Sequence, residues 1–267
     1  MDVYRLGYLA CLGYHKRRQM SATDRAGTVC ANDMNQPEPE RIRLYRFMKA
    51  KWAITSIETR ELRVGRLAEL NDPFEFVPGI TGLQDDAPED YIRDQLWKTQ
   101  VDLNSKLGLL SFAASCREPT LWSHYAESHK GIALGFDILR NLKVLDPVSY
   151  PDPPKRPTFH PGNPDESALE EFVKKTITTK ALGWRPECEW REIVPFARSD
   201  CRCENGNYFV PLTDHACELA EVILGCRCSL DQNYVEQTLK QSGFENVRVF
   251  RAKPSIDTFE IECGCGQ

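Results

Sequence analysis

Two features that would assign this sequence to a class at once are missing: a long apolar run and an excess of basic residues. No stretch approaches the roughly 18 consecutive apolar residues that a membrane-spanning helix needs, so we expect a chain that does not cross a bilayer. Its 34 Lys and Arg residues are outnumbered by 39 Asp and Glu residues, for a net charge of −5. A general nucleic-acid coat protein needs a basic face that neutralises phosphates. The charge balance argues against that class and leaves room only for a local basic cleft.

Several common enzyme signatures are also missing. The sequence has no Walker phosphate loop, no Gly-x-Gly-x-x-Gly, no His-Glu-x-x-His and no Gly-x-Ser-x-Gly. The commonest motif-bearing enzyme classes are therefore not the first candidates. A secretory signal is not indicated either. A signal peptide carries its basic cluster first and a small-residue cleavage site last, whereas here Arg5 alone precedes the apolar residues and the basic cluster at 15–18 follows them. We expect a cytoplasmic protein.

Cysteine, by contrast, is abundant but spaced unusually for a metal site. Eight of the eleven cysteines lie after residue 187, and six of them form Cys-x-Cys pairs at 201/203, 226/228 and 263/265. Structural zinc sites typically use Cys-x₂₋₄-Cys spacings. We predict free thiols in a reducing cytosol and no bound metal. The alternative is an unusual chelate to which His215 and Cys217 contribute.

Hydrophobic periodicity predicts an α+β fold. The 267 residues are enough for one large domain with a core that needs no disulfide. Residues 1–40 show no sustained periodicity and are predicted as an N-terminal extension to a single domain at 41–267. Strand and helix patterns are interspersed there without strict alternation, which favours a mixed, mostly antiparallel sheet with packed helices. Six prolines at 151–164 predict a loop or flap.

The first candidate site is an arginine-rich strand. Arg41, Arg43 and Tyr45 share one face by alternation, and Arg46 follows directly. Arginine forks suit phosphate or pyrophosphate, and an adjacent aromatic ring can stack on a planar ligand. The alternative is a solvated edge strand whose arginines extend into water.

A second candidate is the segment Asn71-Asp72-Pro73-Phe74-Glu75. Asn and Asp before Pro favour a turn held by bonds from side chain to backbone. In the functional alternative, Asp72 and Glu75 face a cleft as hydrogen-bond acceptors.

A third candidate combines Ser111 with the aromatic helix that contains Trp122, His124 and Tyr125. Polar aromatic side chains within one helical turn can frame a planar ligand or act in general acid–base catalysis. The alternative is that these residues only pack.

The fourth candidate is the strand that carries Glu187, Glu189 and Arg191 on one face. Two carboxylates two positions apart on a strand are about 7 Å apart, since each residue rises by ~3.3 Å, so both can act on one small substrate. The alternative is an ion-pair ladder with Arg191. A metal-dependent phosphodiesterase that uses Asp72, Glu187 and Glu189 is a further, weaker hypothesis.

Taken together, the motifs resemble a large bacterial family of unknown function that includes AbiGi-type abortive-infection proteins. The matching segments are Leu-Tyr-Arg-Phe at 44–47, Asn-Asp-Pro-Phe-Glu at 71–75, Leu-Ser-Phe at 110–112, Leu-Trp-Ser-His-Tyr-Ala at 121–126, His-Lys-Gly at 129–131, Gly-Phe-Asp at 135–137, Glu-Cys-Glu-Trp-Arg at 187–191 and Glu-Val-Ile-Leu-Gly at 221–225. The resemblance covers about residues 41–252. It implies a setting in phage defence or toxin–antitoxin biology.

More distantly, the order of candidates is similar to that of ADP-ribosyltransferase toxins, and it implies their fold and their cofactor, NAD. In that reading Arg43 or Arg46 holds the pyrophosphate, an aromatic residue sandwiches nicotinamide, and Glu189 binds the ribose 2′-hydroxyl and stabilises an oxocarbenium-like transition state. Tyr125 and His124 join Glu189 as catalytic candidates, and Ser111 and Trp122 join the cofactor-binding set. The partners implied are a nucleotide and a protein or nucleic-acid target. The competing hypothesis is a non-catalytic antitoxin or interaction module.

Overall fold

The computed structural model describes residues 41–76, 79–80, 88–140, 145–153, 155–159 and 166–264. The predicted extension at 1–40 lies outside the described residues, as does part of the proline-rich segment. Helices and strands are interspersed along the described chain, and the sheet is mostly antiparallel. The α+β class predicted from the sequence is therefore confirmed. None of the helices in the described ranges is both long and apolar enough to span a membrane.

The elements follow one another in a mixed order. The strands are β1 (Arg41–Met48), β2 (Glu61–Arg66), β3 (Gly79–Ile80), β4 (Leu107–Ala113), β5 (Ile132–Leu139), β6 (Asp146–Pro147), β7 (Thr158–Phe159), β8 (Glu189–Pro195), β9 (Arg202–Glu204), β10 (Asn207–Pro211), β11 (Cys217–Leu224), β12 (Arg248–Arg251), β13 (Lys253–Pro254) and β14 (Ile261–Glu262). The helices are α1 (Ala50–Thr59), α2 (Glu89–Lys106), α3 (Pro119–Tyr125), α4 (Glu166–Ile177) and α5 (Gln232–Gln241), with 3₁₀ turns at Leu67–Glu69 and Leu182–Glu187.

The main sheet splits at β4. Its long path runs β12-β11-β5-β1-β4-β2-β10-β9, while β8 pairs with β4 along all seven residues and β6 pairs with β8. The other edge of β4 is shared between two strands: β2 pairs at Leu109, and β1 pairs only at Ala113. The strands β1 and β2 therefore diverge across β4, and the backbone between these two contact points needs other partners.

Apolar residues cover both faces of the sheet, as alternation along the strands requires. On one face α1 and α5 pack over the strands, with Ile57 and Val235 fully buried. On the other face Trp122 from α3 packs against β1, β5 and β11. A further cluster places Leu103 of α2 and Ile177 of α4 beside β4 and β8. Helices thus enclose the split on several sides.

Element ends differ from the predicted ones where the backbone enters the left-handed region. The predicted strand from residue 187 begins at Glu189, because Leu182–Glu187 forms a 3₁₀ turn and Cys188 has a φ of 42°. The predicted helix at 119–128 ends at Tyr125, since residues 127–129 all have positive φ. Within the proline-rich segment, the two-residue strand β7 pairs in parallel with β3 in a separate two-stranded sheet.

Candidate functional site

A cleft of about 170 Å³ opens beside the split, where β1, β4 and β8 adjoin. Tyr45, Arg46 and Ser111 contribute strand walls, and Tyr125 closes one side from α3. Its floor carries five buried charged residues: Glu75, Lys180, Glu187, Glu189 and Arg191. We call it the glutamate cleft. It lies where β1 and β2 diverge across β4, which leaves room for side chains to converge.

Local backbone geometry brings the charged side chains of the floor together. Alternation along β8 points Glu189 and Arg191 to the same side, and the left-handed Cys188 turns the chain so that Glu187 also reaches the cleft. Glu75 arrives from the turn at 71–76, and Lys180 arrives three residues after the end of α4. Four separate segments thus supply one cluster.

Two cations hold three carboxylates in this cluster. Arg191 donates from Nε to Glu189 Oε1 at 2.8 Å and from Nη2 to Oε2 at 2.9 Å, and its Nη2 pairs with Glu75 Oε2 at 2.7 Å. The Nζ of Lys180 lies 2.7 Å from Glu187 Oε2, 3.3 Å from Glu75 Oε1 and 3.4 Å from Glu189 Oε2. With three carboxylates on two cations, the cluster has at most one excess negative charge.

Burial and ion pairing shift the pKa values of the cluster in opposite directions, and which of the two prevails differs between residues. For Glu189 burial favours the neutral acid, but Arg191 and Lys180 outweigh it, so its pKa lies below the usual value. For Glu75 burial prevails over the same cations and raises the pKa. Burial alone would lower the pKa of Lys180, but the surrounding glutamates raise it. Glu189 and Lys180 are therefore charged at neutral pH, and Glu75 is the member of this set that most readily takes up a proton.

Tyr125 links the wall of the cleft to its floor. Its hydroxyl donates to Glu187 Oε1 at 2.6 Å and accepts a hydrogen bond from Asn71 Nδ2 at 2.9 Å. Burial, together with the bond to Glu187, raises the pKa of Tyr125 above its usual value. The phenol therefore stays protonated at neutral pH and orients the Glu187 carboxylate.

Of the seven catalytic and cofactor-binding residues that the ADP-ribosyltransferase resemblance implies, four line the cleft: Glu189, Tyr125, Arg46 and Ser111. Arg46 bridges the split itself, since its Nη1 donates to the carbonyl of Ser111 and its Nη2 to that of Arg63, each at 3.1 Å. Burial and the neighbouring Arg63 lower the pKa of Arg46 to about 10, so it still carries its charge at neutral pH. The guanidinium thus donates to carbonyl oxygens that the diverging strands leave unmatched, and it places a positive charge at the edge of the cleft.

The other three predicted residues lie outside the lining of the cleft. Arg43 forms ion pairs with Asp137 at 2.6 Å and with Glu221 at 2.8 Å. Trp122 is fully buried, and its Nε1 donates to the carbonyl of Cys116 at 2.7 Å. His124 is exposed, with its ring edge-on to Tyr125 at a centroid distance of 6.1 Å.

Lys180 is the functional residue that sequence reasoning missed. Only 4% of its surface is exposed, although lysine is among the residue types that are rarely buried. It follows a helix with Lys174 and Lys175 in its last turn, and basic residues at that end of a helix are typically solvated. No local pattern separates Lys180 from these two.

Metal binding finds little support in the described part of the chain. It contains no group of three or more His, Cys, Asp or Glu residues arranged to hold a metal ion. Lys180 and Arg191 lie among the cleft carboxylates, and Asp72 lines a different cavity, so Asp72, Glu187 and Glu189 do not form a ligand set. Cys203 is exposed and Cys228 is buried, each as a free thiol.

Comparison with known proteins adds no relative. The chain matches no protein-family model, no curated protein and no solved structure. The resemblances described from the sequence motifs therefore stay predictions, and any function has to be argued from the cleft.

Proposed function

We propose that the protein is an ADP-ribosyltransferase that cleaves the bond between nicotinamide and ribose in NAD at the glutamate cleft. One observation carries this proposal. Arg46 from an early strand, Tyr125 from a middle helix and Glu189 from a late strand meet in a single cleft, together with Glu187 and Glu75. Chain order and spatial convergence are independent properties, and both match what the resemblance to these toxins implies.

The charge of the cleft suits this reaction. When the C1′–N bond breaks, its electron pair passes to the nicotinamide nitrogen, and positive charge develops on the ribose. A fixed carboxylate opposes that charge without reorganising during the reaction. The acceptor then bonds to C1′ and gives up its proton, for which Glu187 is the base. Arg191, Lys180 and the Ser111 side chain all donate to the Glu189 carboxylate. In this proposal the ribose hydroxyl takes the place of the Ser111 hydroxyl, which lines the same cleft.

The volume of the cleft limits the size of the ligand that it can bind. Sites for drug-sized ligands span ~300–1,000 Å³, whereas the glutamate cleft holds about 170 Å³. A nicotinamide ring with part of its ribose matches this volume, and a whole dinucleotide exceeds it. We therefore assign only the reacting end of NAD to this cleft.

The biological setting follows from the resemblance to abortive-infection proteins. In that setting the acceptor is a protein or nucleic acid of the infected cell, and its modification stops growth. We therefore expect expression of the wild-type protein to be toxic and expression of a catalytically impaired variant to be tolerated.

A second candidate function, a non-catalytic interaction module, is favoured by the way Arg191 is satisfied. Its guanidinium reaches Glu189 and Glu75 and donates to the carbonyl of Ile177 at 2.6 Å. A buried network that is satisfied internally serves structure without any substrate.

One experiment separates the two functions. Nicotinamide release from NAD is measured for the wild type and for Glu189→Gln, which keeps the side-chain volume but removes the charge. We expect the variant to release nicotinamide about 10²–10³-fold more slowly, the usual cost of losing a preorganised group at a site of developing charge. Tyr125→Phe, which frees Glu187 from its hydrogen bond, should also slow release.

The matched control is Glu218→Gln, the same change at an exposed glutamate that pairs with Arg41. It should leave the rate unchanged, and denaturation midpoints should show that all variants are folded. If the wild type releases no nicotinamide and NAD does not raise its melting temperature, the interaction module is the better description.

A further inference from the structure

A second cavity, of about 220 Å³, lies behind the turn at 71–76, and Asp72, Phe74, Lys155, Arg156 and Lys180 are among the residues that line it. We call it the Asp72 cleft. It shares two walls with the glutamate cleft. In the turn, Asn71 and Glu75 line the glutamate cleft while Asp72 and Phe74 line the Asp72 cleft, and Lys180 lines both. The two cavities therefore adjoin at this turn and at Lys180.

One oxygen of the Asp72 carboxylate lacks a hydrogen-bond donor among the described residues. Only 4% of Asp72 is exposed, and its Oδ1 accepts from the backbone N–H of Phe74 at 2.9 Å. Its Oδ2 is buried and has no hydrogen-bond partner among the described residues. Buried polar atoms are nearly always satisfied in native proteins, so this oxygen indicates a ligand with a hydroxyl or amino donor.

The rim of the Asp72 cleft offers positive charge and an aromatic surface. Lys155 and Arg156 are exposed on the proline-rich segment, and the Arg156 guanidinium lies 5.1 Å from the ring centroid of Phe74. Phe74 itself is 59% exposed, so its ring is accessible to a ligand. Arginine and lysine bind phosphate, and bases stack readily on aromatic and guanidinium planes.

A buried acceptor, two cations and a stacking surface match the hydroxyl or amino groups, the phosphates and the base of a nucleoside 5′-phosphate. We propose that the Asp72 cleft binds the adenosine diphosphate half of the substrate, while the glutamate cleft binds the half that reacts. This inference rests on the proposed function, because it takes NAD as the substrate. Asp72 Oδ2 accepts from the adenosine, Lys155 and Arg156 bind the diphosphate, and the base stacks on Phe74. Lys180 lies at the junction of the two halves.

The test uses ADP, which lacks the nicotinamide half and therefore reports on the Asp72 cleft alone. Calorimetric titration of the full chain with ADP should show saturable binding. We expect Asp72→Asn to weaken it at least about tenfold, since the amide can preserve the turn but loses one carboxylate acceptor. Arg156→Gln, at an exposed position that does not endanger folding, should also weaken binding and reduce its salt dependence. Lys253→Gln, an exposed lysine on β13, is the matched control and should bind as the wild type does.

The outcomes distinguish this inference from the proposed function. If ADP binding depends on Asp72 and Arg156 but NAD releases no nicotinamide, the result supports a nucleotide site at the Asp72 cleft and contradicts the transferase proposal. If Asp72→Asn and Arg156→Gln both cleave NAD with the KM of the wild type, the nucleotide site at the Asp72 cleft is contradicted and the transferase proposal stands. Absence of ADP binding to the wild type overturns the second cleft as well, as does equally tight binding of inorganic pyrophosphate, because Asp72 and Phe74 would then contribute nothing.

Discussion

Ion-pair partners outweigh burial in setting the pKa values of Glu189 and Lys180, whereas burial prevails for Glu75. Glu189 is buried, and burial alone would favour its protonated form. The Arg191 fork contacts both of its oxygens, however, and Lys180 adds a third contact, so the pKa of Glu189 falls below the ordinary value of 4.5. Its charge therefore contributes to stability only while the carboxyl group is ionised.

The first prediction concerns Glu189→Gln and pH. Because the folded pKa of Glu189 is lowered, its contribution is fully present above the unfolded value of about 4.5 and is lost as pH falls through the folded pKa. We expect the wild type to be more stable than the variant by a constant amount between about pH 6 and pH 8. That difference should shrink below about pH 4.5. Denaturant midpoints measured across pH provide the curve.

Glu61→Gln is the control for this curve. The pKa of Glu61 is also lowered, chiefly by hydrogen bonds from Arg202, but this pair lies at an exposed edge of the sheet. Surface pairs are screened by salt and buried ones much less. At high salt the Glu61 effect should fade and the Glu189 effect should persist. A pH-independent difference for Glu189→Gln would contradict the assigned ionisation.

At the scale of elements, two glycines fix how β5 and β11 meet the turn after α3. The N–H of Gly225 donates to the carbonyl of Gly131 at 2.9 Å. A Cβ atom on Gly131 would lie 2.3 Å from the carbonyl oxygen of Met48, and one on Gly225 would lie 2.2 Å from that of His129. Backbone contacts of this kind cannot be relieved by rotating a side chain. Both glycines belong to motifs that the sequence singles out.

The second prediction compares Gly131→Ala with Gly183→Ala. The first should destabilise the fold by about 1–3 kcal/mol or more, because overpacking against backbone forces strands to move. At Gly183 a Cβ atom meets nothing within 4 Å, so the change should stay within about 0.5 kcal/mol. Urea denaturation measures both. Equal losses at the two positions would refute the close-approach argument.

Elements with a clear period were predictable, and features created by tertiary contacts were not. Alternation predicts the strand at 41–45, which lies in β1, and apolar residues at helical spacing between Ala50 and Ile57 predict α1. The start of β8 was missed because Cys188 adopts a left-handed backbone that side-chain type does not signal. Alternation correctly places Glu189 and Arg191 on one face, but Glu187 joins them through the left-handed backbone of Cys188. The bond of Arg46 to two carbonyls was not foreseen, since it exists only because the sheet splits.

For the whole molecule, the buried charge cluster joins parts of the chain that secondary structure leaves separate. Arg191 in β8 contacts Glu75 in the turn at 71–76 and the carbonyl of Ile177 at the end of α4. Through Glu187 the cluster also reaches Tyr125 in α3. Loss of the central cation should therefore weaken the fold as a whole and not one element.

The last prediction is that Arg191→Leu destabilises the protein by about 3–5 kcal/mol, because removing one partner leaves buried charges uncompensated. Arg41→Leu, the same change in an exposed pair with Glu218, should cost only about 0–1 kcal/mol. Denaturant unfolding gives both values, with unchanged slopes if the fold stays cooperative. Adding Glu75→Gln to Arg191→Leu should restore part of the loss, since it removes one orphaned carboxylate. Strictly additive effects of these two changes would show that Glu75 and Arg191 are energetically independent, and the 2.7 Å ion pair between them would then not be what holds the four segments together.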